Sequence, residues 1–231
     1  MTTDPAPRLS RTDIARRAAL DLPDGGIVNL GIGIPALCSN LLPEGVELRY
    51  HAENGILGFS EMDTKLDGDP NIMDAGGNFP KLVPGMAFFD SVESFGLIRG
   101  GHIDVTVLGG LQVSGKGDLA NWMIPKRGIG SIGGGMDLAT NAKRVIVAME
   151  HTTRDNKPKI VNQCSFPLTA PKCVDDIITD IAVIKVKTQG LFLMEAAQGW
   201  SPEDVQAITE PELIVSDDLK PFQTAELPSL S

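Results

Sequence analysis

A glutamate set among glycines is the part of the sequence best suited to chemistry. Glu53 follows a β-prone run, residues 46–50, and Gly55 and Gly58 come directly after it. In open α/β sheets, ligands bind at the carboxyl ends of the strands, and glycine lets the backbone bend sharply and approach a ligand closely. A carboxylate in such a place can attack an activated acyl group and form a covalent intermediate. We therefore predict that Glu53 is a nucleophile and that Asn54 and Gly55 line a substrate pocket.

A glycine-rich segment at residues 128–135 is the second candidate. It precedes a helix-compatible stretch, 136–142, but it lacks the G-x-x-x-x-G-K-[ST] order of a phosphate-binding loop, so a nucleoside triphosphate site is poorly supported. Gly133, Gly134 and Gly135 would present nearly bare N–H groups at a helix N-terminus, which suits an anion or a developing oxyanion. The alternative is a turn that only lets a helix and a sheet pack closely.

The turn at Gly31 and Gly33 follows a short predicted strand, residues 27–30. With Glu53 about 20 residues further on, this turn matches one form of the dinucleotide fingerprint. Pro35, however, favours an earlier helix start than the fingerprint has, and a third glycine is missing. We therefore expect Gly31 and Gly33 to line a shared anionic pocket and not a nicotinamide or flavin site. A turn without any ligand is the alternative.

Other nucleophiles and metal sites find little support in the sequence. A G-x-S-x-G motif for serine hydrolysis is absent. One cysteine lies on a predicted apolar helix face and the other two have no histidine nearby in sequence. The histidines lack metal-ligand spacing, and the acidic segment 59–80 lacks the order of a calcium loop. We predict no metal site, while the paired carboxylates of a glycosidase stay open as an alternative.

Composition places the chain among globular proteins. With 231 residues, 42% of them hydrophobic, it can bury a sizeable core. We expect a single domain over residues 10–215, a flexible N-terminus at 1–9 and a tail at 216–231.

The net charge and the length of the apolar runs limit the partners that we expect, and the cysteines and the N-terminal residues bear on the cell compartment. A formal net charge of -10 disfavours nucleic acid as a partner, and the apolar runs are far shorter than the ~20 residues that span a bilayer. We therefore expect neither nucleic-acid nor membrane binding. Three cysteines without C-x-x-C spacing suit a reducing compartment, and the lack of a leader-like start leads us to expect the cytoplasm.

Predicted strands and helices alternate along most of the chain. Periodicity and capping residues predict these elements: helices at 14–20, 36–42, 136–142 and 201–208, and strands at 27–30, 102–108, 145–149, 181–187 and 191–194. This order predicts an α/β fold with an open, largely parallel sheet flanked by helices. Residues 115–127, polar and basic around one tryptophan, predict a surface excursion.

Four motifs together resemble the B subunit of the 3-oxoacid CoA-transferases, the family I CoA-transferases. They are ENGILG at 53–58, ESF with IRGGH between 93 and 102, GDLANW at 117–122 and GGGMDL at 133–138. The resemblance spans roughly residues 10–220. It implies the α/β fold that CoA-transferases share with sugar-phosphate isomerases.

The resemblance also implies a reaction. The ENG element carries the family's nucleophile, which maps onto Glu53, and the G-G-[AG]-M-D loop supplies backbone near the thioester, which maps onto Gly133 and Gly134. CoA would move from an acyl-CoA, such as succinyl-CoA or acetyl-CoA, to a 3-oxoacid such as acetoacetate or 3-oxoadipate. The implied route is a ping-pong mechanism through a glutamyl-CoA thioester, with CoA as a substrate and no permanently bound cofactor. Ala52 departs from the family, which usually has serine there, and this bears on rate or substrate preference.

The resemblance finally implies a partner. Family members of this length work with a separate A subunit, usually as an A2B2 heterotetramer, so an isolated chain is expected to have little activity. Two other interpretations stay open: an acyl-CoA hydrolase, which would use water as the acceptor, and a non-catalytic ligand-binding protein on the same fold.

Overall fold

The computed structural model describes residues 4–59, 69, 71–128 and 130–223. Residues 60–68 and 70 of the acidic segment predicted at 59–80 lie outside the described residues. The α-helices are α1 (Arg11–Ala19), α2 (Ser91–Arg99), α3 (Gly135–Asn141) and α4 (Pro202–Ala207). The strands are β1 (Ile27–Leu30), β2 (Arg49–Ala52), β3 (Ile56–Phe59), β4 (Ala87–Phe88), β5 (Val105–Leu108), β6 (Gln112–Ser114), β7 (Leu119–Ala120), β8 (Arg144–Ala148), β9 (Ile160–Val161), β10 (Asp176–Ile178), β11 (Ala182–Lys187), β12 (Gly190–Ala196) and β13 (Leu213–Pro221).

The main sheet has ten strands in the order β13-β12-β11-β10-β8-β5-β1-β2-β3-β4. Its centre is parallel, because β2, β1, β5, β8 and β10 pair in parallel with their neighbours in that series. Antiparallel pairs flank this centre on both sides, through β3 and β4 at one end and β11 and β12 at the other. The predicted open, largely parallel sheet is confirmed.

Helices cover both faces of the sheet. In β8, Val145 and Val147 belong to one hydrophobic cluster and Ile146 to another, as the alternation of side chains along a strand requires. The first cluster contains buried residues of α2, α3 and α4, and the second contains those of α1. The core therefore lies in two layers, with α1 on one side and the other three helices opposite.

Local sequence explains where α1 begins. The Ser10 side chain accepts a hydrogen bond from the Asp13 backbone N–H, and the Asp13 carboxylate accepts one from the Ser10 N–H. This reciprocal capping box satisfies two N–H groups that the helix leaves unpaired. A similar box joins Ser201 and Asp204 at the start of α4. The segment after Pro35 is helical as predicted, but it is a 3-10 helix, Pro35–Asn40.

The predicted surface excursion at 115–127 is only partly correct. Its middle forms β7, whose Leu119 and Ala120 are buried, and β7 joins β6 and β9 in a three-stranded sheet. Lys126 and Arg127, at its end, are exposed. The alternation that marks a strand cannot be recognised in a pair of residues, so the sequence pattern missed β7.

The expected tail from residue 216 is wrong for residues 216–221. They belong to β13, which pairs in parallel with β12, and the Phe222 N–H extends this contact by donating to the Ala196 carbonyl oxygen at 2.9 Å. β13 is an edge strand and most of its side chains are exposed or half-buried, so it lacks the apolar alternation that predicts a strand.

The N-terminal segment also contacts the body of the protein. The Leu9 N–H donates to the Asp180 carbonyl oxygen at 2.9 Å, and the Arg8 guanidinium pairs with the Asp180 carboxylate and lies over the Trp200 ring. Arg8 and Leu9, which belong to the segment expected to be flexible, thus have partners in the body of the protein, and the flexibility of residues 1–9 stays a prediction. Arg8 and Leu9 have few apolar neighbours in sequence, so the sequence pattern did not predict these contacts with distant residues.

Candidate active site

The carboxyl ends of the central parallel strands open into a cleft of about 690 Å³. Because β1 lies between β2 and β5 in the sheet, the segments that follow these three strands meet at one edge. Residues from all three segments line the cleft, and so do residues of the 131–135 loop and of α2. This is the edge at which open α/β sheets bind their ligands.

Glu53 lies on the wall of this cleft. It follows directly after the end of β2, its side chain is half-buried, and it lines the cavity. The sequence prediction of a carboxylate at the carboxyl end of a strand is therefore met by the geometry. The role of Glu53 as a nucleophile stays a proposal.

Gly55 makes the turn that presents Glu53. Its φ is +116°, and a Cβ there would collide with the Phe89 carbonyl oxygen. The Gly55 N–H donates to the Ala52 carbonyl oxygen at 2.9 Å, and the Phe89 N–H donates to the Gly55 carbonyl oxygen at 3.0 Å. Gly55 does not line the cleft. Gly55 thus shapes the turn, which only glycine fits, and its predicted contact with substrate stays a prediction.

The 131–135 loop, which also lines the cleft, lies against the Glu53 side chain. A Cβ on Gly134 would lie 3.1 Å from Glu53 Cγ and 3.4 Å from Cδ, and one on Gly133 would lie 3.9 Å from Oε1. The two elements that the sequence singled out are thus in contact, although 80 residues separate them along the chain. Gly135 lines the cleft, but its N–H donates to the Ile132 carbonyl oxygen at 3.0 Å and is engaged within the turn. The helix that follows, α3, has seven residues.

Asn29, at the third position of β1, contacts the other side of the carboxylate. Its Nδ2 donates to Glu53 Oε2 at 3.3 Å and to the His51 carbonyl oxygen at 3.0 Å. Asn29 is 1% exposed, and it lines the cleft. The sequence does contain a signal for Asn29, because it is a polar residue inside a short apolar strand that ends at the Gly31 turn. This signal was missed.

His51 and Ser94 complete the polar contacts behind Glu53. His51 Nδ1 lies 3.2 Å from Asn29 Nδ2, and His51 Nε2 lies 2.9 Å from Ser94 Oγ. Burial lowers the pKa of the His51 imidazole to about 4, so the ring is neutral near pH 7. Ser94 comes from α2, so sequence spacing could not connect it with His51.

Of the remaining residues that were predicted to line the pocket, two line the cleft and one does not. Gly31 and Asn54 line the cleft, and Gly33 does not. The Gly31 N–H donates to the Val107 carbonyl oxygen at 2.8 Å, and a Cβ there would come within 3.2 Å of that oxygen. Asn54 is exposed, and its Nδ2 donates to the Met73 carbonyl oxygen at 2.6 Å. Asn54 therefore ties the neighbouring loop to the cleft.

The three cysteine thiols lie outside this cleft. Burial raises the pKa of these thiols to about 12, 11 and 12 for Cys38, Cys164 and Cys173. Among the described residues, no three His, Cys, Asp or Glu side chains form a group that could hold a metal ion. Within the same residues, no helix has the length and apolar character needed to cross a membrane.

Comparisons with known proteins agree with this architecture. Residues 11–207 match the family model of the coenzyme A transferases. The chain is 47% identical over 220 residues to mouse succinyl-CoA:3-ketoacid coenzyme A transferase 2B, mitochondrial, an alignment that covers 94% of this chain and 42% of the mouse protein. It is 46% identical over 206 residues to the acetate CoA-transferase subunit beta of Escherichia coli K12, covering 89% of this chain and 94% of that subunit.

A solved structure shares the fold. The apoenzyme of an acyl-CoA transferase from Escherichia coli O157:H7 superposes with a TM-score of 0.72 at 22% identity, covering 95% of this chain and 44% of that chain. The chain described here belongs to the coenzyme A transferase family. It spans less than half the length of the mouse relative, and the Escherichia coli K12 relative is named as a subunit.

Proposed function

We propose that this protein is the B subunit of a CoA-transferase, which moves CoA between an acyl-CoA and a carboxylic acid with Glu53 as the nucleophile. The observation that carries the proposal is the position of the Glu53 carboxylate on the wall of the cleft, with the backbone of Gly133 and Gly134 against it. A carboxylate with backbone N–H donors beside it suits acyl transfer. The names of the relatives supply the reaction class.

The first half of the reaction has two steps. A Glu53 oxygen attacks the acyl carbonyl carbon, the carbon–sulfur bond breaks, and CoA leaves as a thiolate from an acyl-glutamyl anhydride. The thiolate then attacks Glu53 Cδ, the bond from Cδ to the bridging oxygen breaks, and the first acid leaves with that oxygen. Glu53 is left as a glutamyl-CoA thioester. The second half reverses these steps with the acceptor acid.

Gly133 and Gly134 would stabilise the charge that develops in these steps. Attack on the acyl carbonyl carbon places a negative charge on the acyl oxygen, and fixed N–H groups of the loop stabilise such charge without having to reorganise. Contacts to distant parts of CoA can add to this, because binding energy from non-reacting groups can be used at the reacting carbonyl.

The substrates are proposed at the level of class. CoA is a substrate that leaves after each turnover, and we propose succinyl-CoA or acetyl-CoA as donor and a 3-oxoacid such as acetoacetate or 3-oxoadipate as acceptor. The relatives are named for succinyl-CoA with 3-ketoacid and for acetate. Apolar cleft residues such as Phe59 and Phe95 suit a short carbon chain.

The proposed partner is a CoA-transferase A subunit, in an A2B2 heterotetramer. Two large apolar side chains at or next to the cleft are exposed: Ile32, which lines it, is 73% exposed, and Val92, which follows the cleft residue Ser91, is 78% exposed. Large apolar side chains left exposed near a cleft are consistent with an interaction surface there. The mouse relative carries more than half of its length outside the matched region. That additional length is enough to contain a counterpart of the A subunit within the same chain.

We propose the cytoplasm as the location, supported by the free thiols of all three cysteines.

A single substitution tests the nucleophile. Glu53→Gln keeps the shape of the side chain but replaces the attacking oxygen with an amide, so CoA transfer by the complex with the A subunit should fall at least about a thousandfold. Glu44→Gln is the matched control, because Glu44 is exposed and lies outside the cleft. CoA transfer that survives Glu53→Gln would contradict Glu53 as the nucleophile. A wild-type complex that binds acyl-CoA but transfers no CoA would favour a ligand-binding protein, and turnover without an added acid would favour a hydrolase.

A further inference from the structure

The two oxygens of the Glu53 carboxylate have different neighbours. Oε2 accepts a hydrogen bond from Asn29 Nδ2 at 3.3 Å. Oε1 is the oxygen nearest to the position that a Cβ on Gly133 would occupy, at 3.9 Å. One oxygen is therefore held by a side chain of the sheet, and the other lies towards the 131–135 loop.

The contacts of Asn29 fix which way its amide points. The three atoms around Nδ2 are the His51 carbonyl oxygen, His51 Nδ1 and Glu53 Oε2. All three can accept a hydrogen bond when the imidazole is neutral, and only the NH₂ end of the amide can donate one. Turning the amide over would set its oxygen against the Glu53 carboxylate, so the orientation with the N–H towards Oε2 is the favourable one.

Ser94 fixes the imidazole in turn. If Nδ1 accepts from Asn29, the ring proton lies on Nε2 and donates to Ser94 Oγ, 2.9 Å away. The Ser94 hydroxyl then donates to the Ala52 carbonyl oxygen at 3.5 Å. His51 and Ser94 are 2% and 0% exposed, so water does not compete for these contacts. Ser94 and His51 thus act as positioning residues for Asn29.

We propose that Asn29 holds Oε2 throughout the reaction, so that Oε1 alone attacks the acyl group and only Oε1 is exchanged with the substrate acids. The inference rests on the proposed function of Glu53. In the first half, Oε1 forms the bond to the acyl carbon and leaves with the first acid, while Oε2 stays on Cδ as the carbonyl oxygen of the thioester. In the second half, the acceptor acid returns one of its own oxygens to Cδ and leaves as acyl-CoA with the other.

Asn29 is then a catalytic residue as well as an anchor. When the thiolate attacks Cδ, the negative charge develops on Oε2, and the Asn29 N–H already points at that atom. Loss of a single donor to such an oxyanion typically lowers kcat by about a hundredfold or more. Asn29→Ala should therefore slow turnover and also release the carboxylate to rotate.

Isotope exchange tests the proposal. The complex with the A subunit would turn over many times with acyl-CoA and an acceptor acid whose two carboxylate oxygens are the heavy isotope, and the heavy atoms on Glu53 would then be counted by mass spectrometry of its peptide. We expect one heavy oxygen in the wild-type protein and two in Asn29→Ala. Ser94→Ala should raise the share of doubly labelled peptide.

Matched variants separate positioning from a loss of stability. Asn141→Ala and Ser114→Ala remove hydrogen-bonding side chains outside the cleft, and both should keep a single heavy oxygen. Two heavy oxygens in the wild-type protein, or one in Asn29→Ala, would overturn the inference while leaving Glu53 as the nucleophile. No heavy oxygen in Glu53 would overturn the proposed function itself.

Discussion

At the scale of single residues, the site depends on how closely backbone can approach Glu53. Gly134 is buried and has an ordinary backbone conformation, with φ at -81°, so its conformation does not require glycine. The requirement is steric, because any side chain at 134 would begin 3.1 Å from Glu53 Cγ. Glycine at position 134 therefore leaves space for the Glu53 side chain to lie next to the loop.

Gly134→Ala should therefore lower activity more than stability. The added methyl group would move Glu53 by a fraction of an ångström, and misplacement of a reacting group by about 1 Å can cost a hundredfold in rate. We expect kcat to fall by about tenfold or more, with little change in the unfolding midpoint.

Gly96→Ala is the matched control for this substitution. Gly96 lies within α2 and a Cβ there meets nothing within 4 Å, so alanine should stabilise the helix by about 1 kcal/mol and leave kcat unchanged. Equal kcat for the wild type and Gly134→Ala would contradict the account of the loop.

At the scale of elements, the sequence predicted those helices, strands and turns that depend on short-range patterns. Periodicity located α1 and the strands β8, β11 and β12, and the glycine turns located the edge of the sheet where Glu53 lies. The link between Glu53 and the Gly133–Gly134 loop could be predicted only through the family resemblance. Contacts that depend on strand order were missed: Asn29 meets His51 because β1 and β2 are parallel neighbours, and periodicity does not encode that pairing.

The edge strand β13 was missed for a different reason, and it has a testable contribution to stability. Leu213, Leu219 and Phe222 pack in part against the core, and the Gln223 N–H donates to the Glu195 carboxylate. A chain that ends at residue 212 would lose these contacts and expose the edge of β12. Partial burial of three large apolar side chains is worth about 3 kcal/mol or more.

Denaturant unfolding of two truncated chains measures the contribution of β13 to stability. The chain ending at 212 should unfold at a lower denaturant concentration than one ending at 223, which keeps β13. Equal midpoints would show that β13 adds nothing to the stability of the sheet.

At the scale of the whole molecule, two buried histidines couple stability to pH. Burial lowers the pKa of His51 from 6.5 to about 4, and burial together with Arg8 and Lys159 lowers that of His151 from 6.5 to about 3. In the unfolded chain both histidines take up a proton as the pH falls through about 6.5, while the folded chain keeps them neutral. Stability should therefore fall as the pH drops from about 6.5 to about 4, by up to about 1.4 kcal/mol per pH unit for each histidine.

Variants at two histidines separate this effect from the titration of carboxylates. His151 hydrogen-bonds to Thr179 and Thr209, so His151→Gln should lower stability near neutral pH but make the loss between about pH 6.5 and 4 shallower. His102 is exposed, and His102→Gln should keep the wild-type slope. An unchanged slope in His151→Gln, measured by chemical unfolding at several pH values, would contradict this coupling.

The central claim is that Glu53 accepts CoA covalently. It is tested most directly by mass spectrometry of the peptide that contains Glu53, after the complex with the A subunit has been mixed with acyl-CoA in the absence of an acceptor acid. The account predicts a CoA adduct on Glu53 that disappears when the acceptor acid or hydroxylamine is added. An unmodified Glu53 in a complex that transfers CoA, or an adduct on another residue, would contradict it.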